Sequence, residues 1–363
     1  VKERKNILYF TRTMNLGGTE KVVLQLCEIM KSEADKIVVC SCGGVNVENL
    51  NKMNIKHYNI PDIDKKDIRT ILTVLKKISM IIKEENINIV HTHHRMAAFY
   101  TRIIGFTRNF IFINNSHNTF YDKKLLTKFS LGKANIVAVG NKVKDNLCDF
   151  YGISKFNIEV IHNAVEPFED QIEPIEILKK YKRDGYALVG NIGRISEQKG
   201  MEYFVRTIPL VLEKYKKTKF FIIGDGEDKG KIKTLISELH VEDYVVLLGY
   251  RNDIQNVMSQ LDLIVLSSLW EGLPLTPIEA FSVAKPIVAT AVDGTVEIID
   301  DDVNGILVGP KDIKELADAI ISIFKFPERT EMFKINALKK YNEEFSYEIL
   351  KDRYIKYYKR LME

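Results

Sequence analysis

Strand-like apolar runs alternate with helical patterns along nearly the whole 363-residue chain, and the alternation breaks only once. Such repetition argues for doubly wound parallel sheets with helices on both faces. In the first half the strands read as NILYF (6–10), KIVVCS (36–41), IKHYNI (55–60), INIVHTH (87–93), IFINNSH (111–117), NIVAVG (135–140) and IEVIHN (158–163). Helices fit between them at 19–32, 67–85, 96–106, 123–132 and 141–151. The break is EPFEDQIEPIEILKKYKRDG (166–185), which carries two prolines, many charges and no alternating period, as a linker with a short helix would. A second set follows: YALVGNIG (186–193), KFFIIGDG (219–226), YVVLLGY (244–250), LDLIVLSS (261–268), KPIVATA (285–291) and NGILVG (304–309). The reading is therefore an α/β chain of two Rossmann-like domains, 1–165 and 186–345, facing across a cleft. A Tyr/Lys-rich final helix over 346–363 is expected to pack back on the first domain.

Size and composition agree with two cores: 45% hydrophobic and 28% charged residues describe a globular chain of ordinary composition. No run of 18 apolar residues appears, and VKERKNILYF leads almost directly into a strand, so the default expectation is a cytoplasmic protein without a membrane span or signal peptide. The four cysteines, Cys27, Cys40, Cys42 and Cys148, form no CxxC and are expected to be buried free thiols. The net charge of +4 conceals an asymmetry: residues 1–165 hold 25 Lys/Arg against 15 Asp/Glu, and the remainder holds 28 against 34. A basic half is thus joined to an acidic half.

In SSLWEGLPLTPIEAF, Glu271 and Glu279 flank a Gly/Pro-rich turn between an apolar strand and a helix. Thr276-Pro277 reads as an N-cap and first helical residue, and backbone amides there could meet an anion in the crevice beyond the strand end. Glu279 stands three residues after Thr276, so a capping box is an equal explanation for it. Glu271 has no evident structural duty. NIGRISEQKG (191–200) follows the first strand of the second domain and puts Arg194 and Lys199 on one loop, which suits a diphosphate. Gly17-Gly18 opens the first helix and either admits an anion or only permits tight packing.

Common nucleotide motifs fail. In IIGDGEDKGK a dinucleotide fingerprint needs glycine where Lys229 stands, and a Walker A loop needs glycine at Asp225 and a hydroxyl at Ile232. His91, His93 and His94 cluster at a strand end, but alternation sends His93 and His94 to opposite faces and no Cys, Asp or Glu completes a zinc set. Asp62 and Asp64 have a metal-pair spacing but sit in a charged turn, so no metal site is expected. His117 ends the next strand, on the cleft rim.

From Gly190 to Pro310 the blocks GNIGRISEQKG, FIIGDGEDKGKI, LLGYRNDI, SSLWEGLPLTPIEAFSVAKPIVATAVDGTVEII and NGILVGPKD resemble, in order and spacing, those of family 4 glycosyltransferases with the GT-B fold. LGGTE, IVHTHH, SHNTF and IHNAV are similar to weaker blocks of the first domain. The resemblance implies that Arg194 and Lys199 bind a donor diphosphate, Glu279 the ribose hydroxyls and Glu271 the donor sugar. It places the amides of Leu273, Pro274, Leu275 and Thr276 nearby, Tyr250 and Arg251 at the base, Gly17 and Gly18 over the phosphates, and His117 near the anomeric carbon. Asp293-Gly294-Thr295 departs from the paired glycines that many members carry before Glu297.

The implied activity is metal-independent transfer, with retention, from a nucleotide-sugar substrate (a UDP-sugar) to a lipid-linked or saccharide acceptor in cell-surface polysaccharide synthesis. No cofactor is implied. Basic, apolar segments at 95–108 and 121–133 suit an anionic membrane at the inner face of the cell membrane, with core packing as the competitor. No nucleic-acid module accompanies the charge. Two other functions stay open: a UDP-sugar 2-epimerase of similar fold, and a catalytically silent partner subunit.

Overall fold

Each half of the chain builds its own parallel sheet. The computed structural model describes residues 5–168 and 171–363, so 169–170 of the expected linker lie outside it. The first sheet has seven strands: β1 (Asn6–Phe10), β2 (Lys36–Ser41), β3 (Lys56–Asn59), β4 (Ile89–Thr92), β5 (Ile111–Ser116), β6 (Asn135–Ala138) and β7 (Ile158–Val160), in the order β3-β2-β1-β4-β5-β6-β7. The second has six: β8 (Ala187–Ile192), β9 (Thr218–Ile223), β10 (Val245–Gly249), β11 (Leu263–Leu266), β12 (Ile287–Thr290) and β13 (Ile306–Val308), in the order β10-β9-β8-β11-β12-β13.

Both orders reverse direction beside the first strand of their sheet, where β1 pairs with β2 on one side and β4 on the other, and β8 with β9 and β11. Crossovers leave to opposite sides at such a place, which opens a crevice at the strands' carboxyl ends. The central strands are buried throughout, NILYF and VGNI alike, because helices cover both faces. In the first unit Leu8, Phe10, Val38, Val90 and Tyr100 share one core; in the second, Val189, Phe204, Phe220, Val265 and Ile320 share another.

The chain divides into Val1–Asn163 with Leu350–Glu363, and Ala164–Ile349. The segment expected as a linker is tied to the second unit: Glu173 and Ile175 donate their backbone N–H groups to Asn256 Oδ1 and Gln260 Oε1, each at 2.9 Å, and a helix follows at Glu176–Arg183. The last helix, Tyr347–Met362, buries Leu350, Tyr354, Tyr357 and Tyr358. A short helix at Val47–Lys52 escapes the sequence reading because only Leu50 of its six residues is buried, leaving no apolar period to see.

Candidate functional site

At the carboxyl end of the second sheet, the loops after β8 and β11 are stitched to each other. Leu269 N–H donates to Gln198 O (2.8 Å), Ser267 Oγ to Lys199 O (3.1 Å), Gln198 Nε2 to Trp270 O (3.0 Å) and Asn191 Nδ2 to Ser267 Oγ (2.9 Å). Glycine makes the approach possible: Gly200 has φ +55°, and a Cβ on it would stand 2.2 Å from Ser267 O. The neighbouring loops close in the same way, since a Cβ on Gly224 would meet Gly193 O at 1.9 Å and one on Gly294 would meet Gly272 O at 1.8 Å.

This scaffold holds an ion pair. Lys199 Nζ lies 2.5 Å from Glu271 Oε1, with side-chain exposures of 17% and 6%. Ser268 Oγ donates to the same oxygen at 2.6 Å, and the Glu271 N–H reaches Asp293 Oδ2 at 3.3 Å. Glu271 therefore has a structural duty that the sequence reading denied it. A carboxylate so buried requires its cation and hydroxyl partners; Ser268 stands three residues before it, but Lys199, Gln198 and Asp293 are too far along the chain to be paired with it by spacing. Asp293 occupies φ +30°, a left-handed backbone setting that favours glycine and that Asp tolerates better than most side chains.

The helix after this turn runs Leu275–Ser282 with Pro274 as its N-cap, extended at φ −69°, ψ 138°. Thr276 is thus the second helical residue rather than the cap, and the expected capping box fails. A proline cap has no N–H for a glutamate to accept from, and Glu279 lies two positions too late. Pro277 falls in the first turn, where a missing N–H costs no helical bond. Leu273, Pro274 and Thr276 are buried, and Leu275 and Glu279 half-buried. Arg194 is 71% exposed at its side chain and pairs with Glu227 at 3.0 Å, so the two cations of the loop answer to different carboxylates. Tyr250 is exposed beside Gly249, while Arg251 grips Asp253 through two bonds of 2.7 and 2.5 Å that hold the Asp253 carboxyl below its usual range.

The corresponding end of the first sheet is built from imidazoles. His91 and His93 share one face of β4 and its extension, and their rings stack with centroids 4.5 Å apart. His93 in turn stacks on His117 at 5.4 Å, with His93 Nδ1 3.1 Å from His117 Nε2. His117, read from the sequence only as a strand-end histidine on the cleft rim, thus has a partner in His93. Burial pushes His91 down to about 3 and His117 to about 4, and lowers His93 as well, so all three are neutral near pH 7. His94 turns away, as alternation requires, and caps the helix Arg95–Ile104 by accepting from Met96 N–H. A cavity of about 500 Å³ lies here, lined by Asp64, His93, His94, Arg95, Asn115 and His117 among others.

Asp62 and Asp64 are both compensated by Arg12, at 2.9 and 2.6 Å, and Asp64 N–H closes a turn on Asp62 Oδ1. Among the described residues, no three of His, Cys, Asp and Glu converge as a metal set. Gly17 caps the helix Gly18–Met30 in extended backbone, and a Cβ there would stand 2.5 Å from Glu20 Oε2. The glycine makes room for Glu20, whose carboxylate accepts from Thr13 Oγ1 at 2.5 Å. Cys27 and Cys40 are buried thiols, while Cys42 and Cys148 are only partly buried.

Two family profiles match consecutive stretches of the chain: Glycosyltransferase Family 4 over residues 16–167 and Glycosyl transferases group 1 over 174–340. The chain belongs to the family 4 glycosyltransferases. This glycosyltransferase is 25% identical over 337 residues to the UDP-Gal:alpha-D-GlcNAc-diphosphoundecaprenol alpha-1,3-galactosyltransferase of Escherichia coli, covering 85% of each chain. It is 29% identical over 239 residues to an uncharacterized glycosyltransferase of Methanocaldococcus jannaschii, covering 63% of this chain and 60% of that protein. Among solved structures, a glycosyltransferase from Rickettsia africae superposes with a TM-score of 0.86 over 99% of this chain and 100% of that one at 24% identity. Anabaena HepE in complex with UDP-glucose gives 0.84 over 98% and 99% at 20%. The fold of this glycosyltransferase is GT-B. Among the described residues, it has no helix long and apolar enough to cross a membrane.

Proposed function

We propose that the protein is a retaining, metal-independent glycosyltransferase that moves a sugar from a UDP-sugar to a lipid-linked or saccharide acceptor in cell-surface polysaccharide synthesis. The observation that carries this reading is the Lys199–Glu271 pair, held at the strand-order reversal of the second unit with Arg194 exposed on the same loop. The name of the Escherichia coli relative, with its UDP-sugar donor and diphosphoundecaprenol-linked acceptor, and the UDP-glucose in the HepE structure support the choice of substrates.

In this reading Lys199 and Arg194 meet the donor diphosphate. An ammonium has three donors, so Lys199 can keep Glu271 and still reach a phosphate oxygen. Arg194 exchanges the exposed Glu227 for phosphate at small cost. Glu271 receives a hydroxyl of the donor sugar, Glu279 the ribose hydroxyls, the N–H groups of Leu273, Leu275 and Thr276 in the turn around Pro274 the phosphate or sugar oxygens, and the backbone near Tyr250 and Arg251 the base. Gly17 and Gly18 line the phosphates, and His117 positions substrate hydroxyls. The acceptor attacks the anomeric carbon on the face from which the diphosphate departs, and the fixed cations stabilise the charge that develops on it.

A thermal-shift panel of UDP, GDP and ADP, followed by a donor screen read by mass spectrometry with lipid-linked acceptors, tests the reading. Stabilisation by UDP alone, an added hexose mass that persists in EDTA, and an unchanged anomeric configuration by NMR are expected. No stabilisation by any nucleotide points instead to a silent subunit.

The first unit also offers a surface for anionic lipid at the cytoplasmic face of the cell membrane. Leu125, Tyr121 and Phe106 are 85%, 71% and 66% exposed, and residues 123–144 carry six lysines with no Asp or Glu. Flotation with anionic liposomes at low salt should carry the protein upward, and protein left wholly in solution would remove this part of the reading.

A further inference from the structure

The C-terminal helix reaches the imidazole stack of the first unit through two tyrosines. Tyr358 Oη lies 2.6 Å from His91 Nδ1, and Tyr354 Oη donates to Asn115 Oδ1 at 2.9 Å. His91 Nε2 faces the same amide oxygen at 3.2 Å. Tyr358 Oη also lies 3.2 Å from Tyr9 Oη, which can take its proton, so in either tautomer of His91 the Tyr358 hydroxyl bonds Nδ1 and the Asn115 amide meets Nε2. His91 and Asn115 are thereby locked, both essentially without exposure. The fixed His91 ring is the platform on which His93 stacks, and His93 is the hydrogen-bond partner of His117.

One proton is shared between His93 Nδ1 and His117 Nε2, and its location follows from the other end of His93. Among the described residues, His93 Nε2 is buried with no hydrogen-bond partner. An orphaned N–H is the costlier of the two ways to leave a buried nitrogen, so His93 keeps its proton on Nδ1 and donates it to His117 Nε2. His117, neutral, then carries its own proton on Nδ1. It can donate to a ligand oxygen from that nitrogen, and its Nε2 is not available as a base.

We propose that Tyr354 and Tyr358 are positioning residues for His117, holding it through His91, Asn115 and His93 as the tautomer with its proton on Nδ1. This rests on the reading of His117 as the residue that positions substrate hydroxyls. Without the Tyr358 hydroxyl, His91 Nδ1 loses its hydrogen-bond partner. Without that of Tyr354, Asn115 loses the second contact that fixes its amide. Either change frees the platform beneath His93, so that its ring can shift and Nε2 can find a partner, which removes the reason for the proton to stay on Nδ1 and lets it choose between His93 and His117.

The test uses the full-length protein with ¹⁵N-labelled histidine, and reads the His117 tautomer from long-range proton–nitrogen couplings. Wild type should show Nδ1–H, and Tyr354→Phe and Tyr358→Phe a mixture of tautomers. Tyr357→Phe is the control, because that hydroxyl is on the same helix, is buried and has no hydrogen-bond partner among the described residues, so its loss should leave the tautomer as in wild type. In transfer assays kcat of the two variants should fall about three- to tenfold, the range for one lost hydrogen bond, with the donor KM unchanged. An Nε2–H tautomer in wild type, or an unaltered tautomer in both Tyr354→Phe and Tyr358→Phe, overturns the proposal. Should one variant fail to fold, the other alone decides. The NMR measurement needs no turnover, so a wild type that transfers no sugar would fail the functional reading without touching this one.

Discussion

The two units share a topology and differ in what they hold at the place where strand order reverses. The second unit gathers charge: Lys199, Glu271, Asp293 and Arg194 sit on loops brought together by glycines. The first gathers neutral rings, with His91, His93 and His117 stacked in series and uncharged near pH 7. Any crevice at a sheet's carboxyl end can bind a ligand. Fixed cations at that place suit a diphosphate, whereas the neutral imidazoles of the first unit suit hydroxyls, with Asp64 and Arg95 as charged neighbours on the same cavity wall.

The largest effect should come from Lys199→Ala. It removes a charge-assisted bond and leaves Glu271 buried without its cation, so transfer should fall more than tenfold and Tm should drop as well. The two losses separate in Lys199→Met combined with Glu271→Gln. Melting should then return most of the way toward wild type while transfer stays low. A double variant that recovers transfer would show that the pair is structural only, and the charged half of the comparison would collapse.

Next in size is Gly294→Ala. Its Cβ would overlap Gly272 O at 1.8 Å, a backbone atom that cannot turn aside, so the loop carrying Asp293 must move away from Glu271. UDP-induced stabilisation measured by thermal shift should be lost. Gly230→Ala, where a Cβ meets nothing within 4 Å, should leave it intact.

Much of this second site could be read from the chain, because its residues lie on short loops that follow strong apolar strands, and the strands announce themselves. Arg194, Lys199, Glu271 and the turn at 273–276 came from that local pattern. The partnerships did not. Lys199 and Glu271 are 72 positions apart, and nothing in either loop reveals that the ammonium and carboxylate meet. The first site was harder still. His117 was visible as a strand-end histidine, but its support comes from His93, His91 and a helix more than 200 residues later. Hydrogen bonds that long in sequence leave no periodic trace.

Acid should distinguish the two regions. Burial depresses the three stacked histidines, so in the folded state they stay neutral while the unfolded chain binds protons with a pKa near 6.5. The unfolded state therefore holds more protons as pH falls below about 6.5 toward about 4, and the folded state loses stability through that window. Above it these groups contribute no pH dependence. Native-state hydrogen exchange at pH 7 and pH 5 should show β4 and β5 losing protection on acidification, with β8 and β11 much less affected. Equal loss in both sheets would mean that the imidazole stack is not what acid attacks.

The smallest expected difference concerns how the two units begin a helix. In the first, Asp67 caps Ile68–Glu84 by accepting from Thr70 N–H at 2.8 Å, so Asp67→Ala should lower the midpoint of chemical denaturation measurably. In the second, Thr276 occupies the position that local sequence would assign to a cap, yet the helix has already begun at Leu275. Thr276→Val keeps the buried volume and removes only the hydroxyl, so it should shift stability by no more than about 0.5 kcal/mol. A loss as large as that of Asp67→Ala would restore the capping role and move the helix start. The backbone amides offered to a ligand would then be two residues further along. Near-equality with wild type leaves Pro274 as the boundary, and the amides of Leu275 and Thr276 open for an anion, because a proline cap has no side-chain oxygen with which to fill them.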